Sequence, residues 1–173
     1  INYPFVKNNN IKVARRISGG GAVFHDSGNV NFAFIKNIKD PSEINFSIFI
    51  QPVINSLSKL NIKVIPSGHN DLLIHEKKIS GNAEHIHKTR VLHHGTLLFN
   101  SNLKTLGQVL KTPRKAKYQD KAVKSRPAII TNIAPFLNNK WSVNDFSSFL
   151  ISDQLEKPGS LLYKLNEQDI NEI

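Results

Sequence analysis

Three consecutive glycines, Gly19 to Gly21, follow a pair of arginines and sit between apolar runs in Arg15-Arg16-Ile17-Ser18-Gly19-Gly20-Gly21-Ala22-Val23-Phe24-His25-Asp26. Without Cβ atoms, such a segment lets backbone N–H groups approach an anion closely while guanidiniums neutralise it. That is the chemistry of a phosphate or adenylate cradle. The glycines alone fit a hairpin turn or bulge equally well. Neither the G-x-G-x-x-G fingerprint nor a Walker A loop is present, since no Lys-Ser or Lys-Thr follows the glycines, and dinucleotide-type and P-loop folds are disfavoured.

A second stretch, Lys77-Lys78-Ile79-Ser80-Gly81-Asn82-Ala83, sets an ammonium directly before small residues on a segment that reads as a strand. A point charge there can be aimed at a reacting phosphate or acyl group. A solvated lysine is the plainer reading, weighed against the tight packing that Ile79-Ser80-Gly81 implies. Asp71, after Asn70 and ahead of an apolar strand, is either a strand-entry cap or a group that orients a metal-bound or lysine-bound phosphate.

Between these landmarks the periodicity predicts β-segments at Ile11 to Ile17, Gly21 to Phe24 and Val30 to Ile35. Asp40-Pro41-Ser42-Glu43 predicts a helix start, with Ile44, Ile48, Val53, Leu57 and Leu60 as its apolar stripe and Pro52 kinking it or shifting its start. Strands are predicted at Lys63 to Pro66, Asp71 to His75, Lys78 to Ala83 and Val91 to Phe99, with Glu76-Lys77 as a hairpin tip. Asn102 to Leu110 reads as a short helix ended by Thr112-Pro113. Arg114 to Ser125 reads as a basic mobile loop, and Ser142-Val143-Asn144-Asp145 opens a helix that Lys157-Pro158-Gly159-Ser160 breaks. The sum is an α/β (α+β) domain with a mixed, mostly antiparallel sheet flanked by helices.

The 173 residues suffice for one domain with a full core. No cysteine is present, which excludes disulfides and thiolate metal sites, and no apolar run reaches the ~18 residues of a membrane span. Methionine is absent too; with the opening at Ile1 and a helical close at Asn171-Glu172-Ile173, this predicts that residues 1–173 are one part of a longer protein. His85, His87, His93 and His94 invite a zinc reading, but His93 and His94 point to opposite faces of a strand and few carboxylates accompany them. No G-x-S-x-G elbow supports a serine hydrolase. The net charge of +10 calls for an acidic partner. A nucleic-acid-binding module is one rival, carried by Arg114 to Lys124, although the aromatic stacking platform of a single-strand binder is missing.

These blocks together resemble the catalytic domain of the lipoate-protein ligase and lipoyltransferase family, which shares its fold with biotin protein ligases. The likeness lies in Ala14 to Asp26 with Gly28-Asn29, in Asn70-Asp71-Leu72, in Lys78-Ile79-Ser80-Gly81-Asn82-Ala83 and in His93-His94-Gly95-Thr96-Leu97-Leu98, in order from about Ile1 to Leu103. The resemblance implies ATP-dependent, magnesium-dependent activation of lipoate to lipoyl-AMP, followed by transfer to a lysine of an acceptor lipoyl domain. Such acceptors are acidic lipoyl domains of 2-oxoacid dehydrogenase E2 subunits or the glycine cleavage H protein. It implies Lys78 as the catalytic electrostatic group. Arg15, Arg16, Ser18, Gly19, Gly20, Gly21, Ala22, Val23 and Phe24 would wrap the acyl-adenylate, Asn70 and Asp71 would lie by the nucleotide with Asp71 on magnesium, and His93 to Thr96 would shape the pocket through backbone contacts. Expected upstream strands and any C-terminal accessory domain lie outside these residues, and the likeness to bacterial members implies a cytoplasmic setting, or the mitochondrial matrix in a eukaryote.

Two departures bear on the chemistry. Full ligases commonly carry Ser-Val-Arg-Ser-Arg-Val-Thr-Asn, whereas this chain has Ser125-Arg126-Pro127-Ala128-Ile129-Ile130-Thr131-Asn132, with Pro127 and Ile129 at the arginine positions. His69 stands where a cation, often arginine, precedes Asn-Asp. Two alternatives therefore stay open: a lipoyl or octanoyl transferase that does not use ATP, and an inactive relative that holds lipoyl-AMP.

Overall fold

The computed structural model describes residues 1–40, 43–68, 70–111 and 128–172. The helix-start residues Pro41 and Ser42, His69, the basic stretch from Arg114 to Ser125, and Arg126-Pro127 lie outside the described residues.

Strands β1 (Asn29–Asn37), β2 (Ile65–Pro66), β3 (Asp71–Ile74), β4 (Lys77–His87) and β5 (Arg90–Leu98) form a five-stranded sheet in the order β1-β5-β4-β3-β2. Every neighbouring pair is antiparallel. One parallel contact is added where Ile130 bridges Lys78. The helices are α1 (Tyr3–Asn8), α2 (Phe46–Lys59), α3 (Leu103–Leu110), α4 (Val143–Leu155) and α5 (Glu167–Asn171).

Side-chain alternation gives the sheet two distinct faces. Phe32, Phe34, His93 and Gly95 look toward α2, whose Phe49, Ile50, Val53 and Leu57 are buried. With Leu72, Ile74, Ile79, Leu97, Phe99, Ile133 and Phe146 they make the main cores, Phe99 stacking on Phe146 of α4 at 4.5 Å. Gly95 is required on this face, since a Cβ there would come within 2.1 Å of Asn82 Oδ1 and 2.5 Å of the Phe32 ring. The other face carries Asn31, Ala33, His94, Ala83 and Gly81, and the candidate site lies on it.

Several expectations need correction. Ile11 to Ile17 and Gly21 to Phe24 form no strand, because no described segment runs beside them to complete a ladder. Helix α2 is capped by Asn45, whose side chain accepts from Ser47 N at 3.0 Å. Asp40 N donates to Glu43 Oε1 and Glu43 N to Asp40 O, the N3-to-N-cap half of the expected capping box, but the α-helix itself begins only at Phe46. Pro52 falls inside α2, and the helix runs through it. The β3–β4 turn is His75-Glu76, one residue earlier than predicted, with φ of 45° and 64° as a type I′ turn demands. Strand β4 continues past Ala83 to His87, and α1, capped by the Asn2 side chain, was not anticipated. The predicted start of α4 holds, with a full capping box between Ser142 and Asp145. Among the described residues no helix is long and apolar enough to cross a membrane.

Candidate functional site

Lys78 Nζ lies 2.8 Å from Asp71 Oδ1, with the two side chains 29% and 26% exposed. Simple alternation would put Lys78 on the core face with Ser80 and Asn82. A β-bulge prevents this: Leu72 pairs with Ser80 but Leu73 pairs with Lys78, which leaves Ile79 as an extra residue. Ile79 and Ser80 are consequently both buried, and Lys78 shares the open face with Gly81. Its side chain crosses directly over Gly81, where a Cβ would lie 3.2 Å from Nζ and 3.3 Å from Cε. Gly81 pairs with Asp71 across the ladder, so one bare strand position lets the ammonium reach the carboxylate.

The pair is braced from both sides. Asn70 O accepts from Asn82 N at 2.8 Å and from Asn82 Nδ2 at 3.0 Å, fixing the approach to Asp71. Asn70 thus acts here through its backbone, while its side chain is exposed. Lys78 N donates to Ile129 O, and Thr131 N donates to Lys78 O. Asn132 then clasps Ser101, accepting from its N–H and donating to its carbonyl. Thr131-Asn132 therefore anchors the returning chain beside Lys78.

Gly81→Ala is a sharp test of this geometry. The atom it crowds is the flexible end of a lysine, so stability should barely change. A displacement of a few tenths of an ångström in the ammonium should lower activity by about 10-fold, within the ~10²-fold that a 1 Å misplacement can cost. Steady-state rates and a thermal melt on the same preparation read both quantities.

The glycine loop makes a second cluster on the same face. Arg16 donates from Nη2 to Gly19 O at 2.6 Å and to Gly21 O at 2.9 Å, and from Nε to Ser18 Oγ at 3.0 Å. Gly20 is at φ +98°, and a Cβ there would touch Arg16 Nη2 at 2.9 Å. Ser18 Oγ lies 2.5 Å from His94 Nε2. Arg16 thus folds the loop, whereas Arg15 and Val23 are exposed and Phe24 is half-buried. In this structure the Arg16 donors close the loop on itself, and Arg15 is the more exposed of the two cations.

His94 also does more than its expected backbone role, because its ring pins the loop to the central strand. Burial first, then the charges of Arg16, His93 and His25, holds its pKa below the ordinary 6.5. The neutral ring can accept the Ser18 hydroxyl hydrogen while that oxygen accepts from Arg16. His93, on the other face, is fully buried against Phe46 and Phe49 and contacts Glu84 through Nδ1 at 3.0 Å. Its pKa is lowered by burial, against the opposing pull of Glu84. Both histidines bind protons more readily when unfolded, so their contribution to stability is complete above pH 6.5 and is lost as pH falls through the lower folded values. Melting temperature should fall on acidification from pH 7.5 toward 5, and His93→Gln should flatten that slope.

Nothing in the sequence marked the bulge, the Ser18–His94 pin or the Asn82 brace, because each joins residues through strand register. Among the described residues no three His, Asp or Glu side chains gather as a metal cluster. Asp71 offers one hard carboxylate, of which Lys78 takes a single oxygen.

The profile of the lipoyl protein ligase A/B catalytic domain matches residues 1–153. The chain belongs to this family. It is 41% identical over 172 residues to lipoate-protein ligase LplJ of Bacillus subtilis, covering 98% of this chain and 52% of that protein. It spans about half the length of the curated relatives it matches. Among solved structures, a bi-partite lipoate protein ligase studied with its E2 lipoyl domain from Thermoplasma acidophilum superposes with TM-score 0.76 at 30% identity, covering 98% of this chain and 67% of that one. A lipoate-protein ligase A bound with ATP gives TM-score 0.76 at 26% identity, covering 99% and 69%. The expected α+β fold and family are therefore correct.

Proposed function

We propose that this chain is the catalytic part of a lipoate-protein ligase that joins lipoate and ATP into lipoyl-AMP and passes the lipoyl group to an acceptor lysine. The observation that carries this reading is the Lys78–Asp71 pair, set by a bulge and a bare Gly81 onto the face where the glycine loop is pinned. Relatives named as lipoate ligases, one of them bound with ATP, support the choice of substrates.

In the first half-reaction a lipoate carboxylate oxygen attacks the α-phosphorus, and the bond to pyrophosphate breaks. Lys78 stabilises the negative charge that builds on the α-phosphate and the acyl oxygen. In the second, a neutral acceptor lysine attacks the acyl carbon, loses a proton, and AMP departs. Exclusion of water by the glycine loop keeps the anhydride for the amine. Magnesium fits Asp71 as a hard-oxygen donor of the kind that holds this ion alongside substrate phosphates, and it would neutralise the departing pyrophosphate. Exposed Arg15 remains available to the nucleotide, with Arg16 shaping the loop. The acceptor is an acidic lipoyl domain, to which the +10 chain is complementary.

The second reading, a transferase without adenylation, is favoured by Pro127 and Ile129 in place of the expected arginines. Intact mass of an apo lipoyl domain incubated with the full-length protein decides between them. Gain of a lipoyl group from lipoate, magnesium and ATP establishes the ligase. Gain only from supplied lipoyl-AMP establishes the transferase and overturns the adenylation step.

A further inference from the structure

Lys78 sits where the sheet parts. Among the described residues β4 pairs with β5 only from Asn82 onward, while Lys77 and Lys78 pair with β3. Residues 129–131 fill the gap on the other side of Lys78. Ile130 bridges it in parallel, Ile129 O accepts from Lys78 N at 2.7 Å, and Thr131 N donates to Lys78 O at 3.0 Å. The same strap then reaches the end of β5, Ile133 N donating to Leu98 O at 2.8 Å and Ala134 N to Phe99 O at 2.9 Å.

One side chain closes the strap. Asn132 Oδ1 accepts from Ser101 N at 3.0 Å and Asn132 Nδ2 donates to Ser101 O at 2.9 Å, so the amide pairs with Ser101 as a neighbouring peptide group would. Ser101 is 5% exposed and lies in a turn whose successive N–H groups are divided between two tasks. Phe99 N and Asn100 N donate to Gly28 O, and Asn102 N donates to Asp26 Oδ2, all holding the exit of the glycine loop. The N–H of Ser101, between them, goes to the strap. The turn therefore stands between the two halves of the site, with the loop exit on one side and Lys78, through Asn132, on the other.

We propose that Asn132 is a positioning residue for acyl activation and transfer, fixing the main chain of Lys78 against the turn that also holds the glycine loop. The inference rests on the ligase or transferase reading, which gives Lys78 its role in the chemistry. The Lys78 ammonium stands at the end of a flexible stem, and its ion pair with Asp71 is partly exposed and contributes little to holding it. Where Nζ lies therefore depends on where the main chain of Lys78 is set. Loss of the Asn132 amide leaves the N–H and C=O of buried Ser101 without these partners, and residues 129–131 can then shift and carry Lys78 with them. A carboxylate of the same size accepts from Ser101 N but cannot donate to Ser101 O.

The test uses the full-length protein with an apo lipoyl domain, supplied either with lipoate, ATP and magnesium or with lipoyl-AMP. Asn132→Ala and the near-isosteric Asn132→Asp should each lower kcat by about 10-fold or more, inside the ~10²-fold that a 1 Å misplacement can cost. The KM for the lipoyl domain should stay within about twofold of wild type. In a Lys78→Ala background the same substitutions should cost less than about twofold, because the group they displace is gone. Equal losses in the two backgrounds would overturn the assignment, since a merely structural effect is independent of Lys78. So would turnover within about twofold of wild type in either single variant, or a loss confined to the KM of the domain. Failure of the wild-type protein to acylate the domain from either donor would instead sink the reading on which the role rests. Hydrogen exchange then decides Asn132 alone: in Asn132→Asp the amides of Lys78 and Thr131 should exchange about 10-fold faster, with the β1–β5 ladder unchanged. Wild-type rates at both amides, or a rise spread over the whole sheet, count against it.

Discussion

Lys78→Ala should slow lipoyl-AMP formation by about 10²-fold or more, the cost of removing a group aimed at charge that develops in the transition state. The fold should survive. Both partners of the pair are partly exposed, and an ion pair of that kind contributes about 1 kcal/mol or less. Lys78→Arg should fail to restore full activity, because a planar fork does not replace a compact ammonium threaded over Gly81. Pyrophosphate release and the lipoyl-domain mass gain measure the two half-reactions separately. Turnover near wild type in Lys78→Ala would remove this residue from the chemistry, whereas retained binding of lipoyl-AMP with lost turnover is the expected pattern. That pattern also excludes the inactive carrier, which has no turnover to lose.

The largest effect on stability should come from Gly28→Ala. A Cβ at Gly28 would lie 2.1 Å from Asn100 O and 2.6 Å from Ser101 N, and these are backbone atoms. The Gly28 carbonyl accepts from both Phe99 N and Asn100 N, while its own N–H donates to Asp26 Oδ1 at 2.9 Å. The other Asp26 oxygen accepts from Asn102 N at 2.7 Å, so one turn ties the end of the glycine loop to the start of α3. Since no side chain can swing aside, the loss should reach about 3 kcal/mol or more, the upper range for overpacking. A denaturant titration reads it. A midpoint within error of wild type would mean that the two backbone segments separate freely.

The contrast between Gly28 and Gly81 says what glycine does in this chain. At Gly28 the missing Cβ admits backbone, and the consequence is structural. At Gly81 it admits the end of Lys78, and the expected consequence is for activity rather than stability. The sequence presents both as glycines beside polar residues.

Residues alone were enough to mark the sheet, α3, α4 and the blocks that carry the family likeness, because each is a local signal: alternation for strands, Ser142 at a helix start, glycines beside cations. Local signal also misled where a partner was needed. Ile11 to Ile17 has the composition of a strand, yet a strand exists only beside another strand, and none of the described segments supplies one. Asp40 and Glu43 make a local capping contact, yet the long helix starts from Asn45, five residues beyond Asp40.

Lys78, Asp71 and the glycine loop could be named from the chain, since their residue types and order carry the family likeness. Their arrangement could not. The sense in which Lys78 points depends on a single extra residue, Ile79, in the pairing of β4 with β3, and a one-residue change of phase moves a side chain from one face of a sheet to the other. Arg16 became a loop fastener and His94 its anchor because folding brought Ser18 within 2.5 Å of a ring seventy-six positions later in the chain. Sequence determined which groups are present; register and long-range pairing determined which of them meet, since hydrogen bonds and close approaches between distant residues exist only in three dimensions.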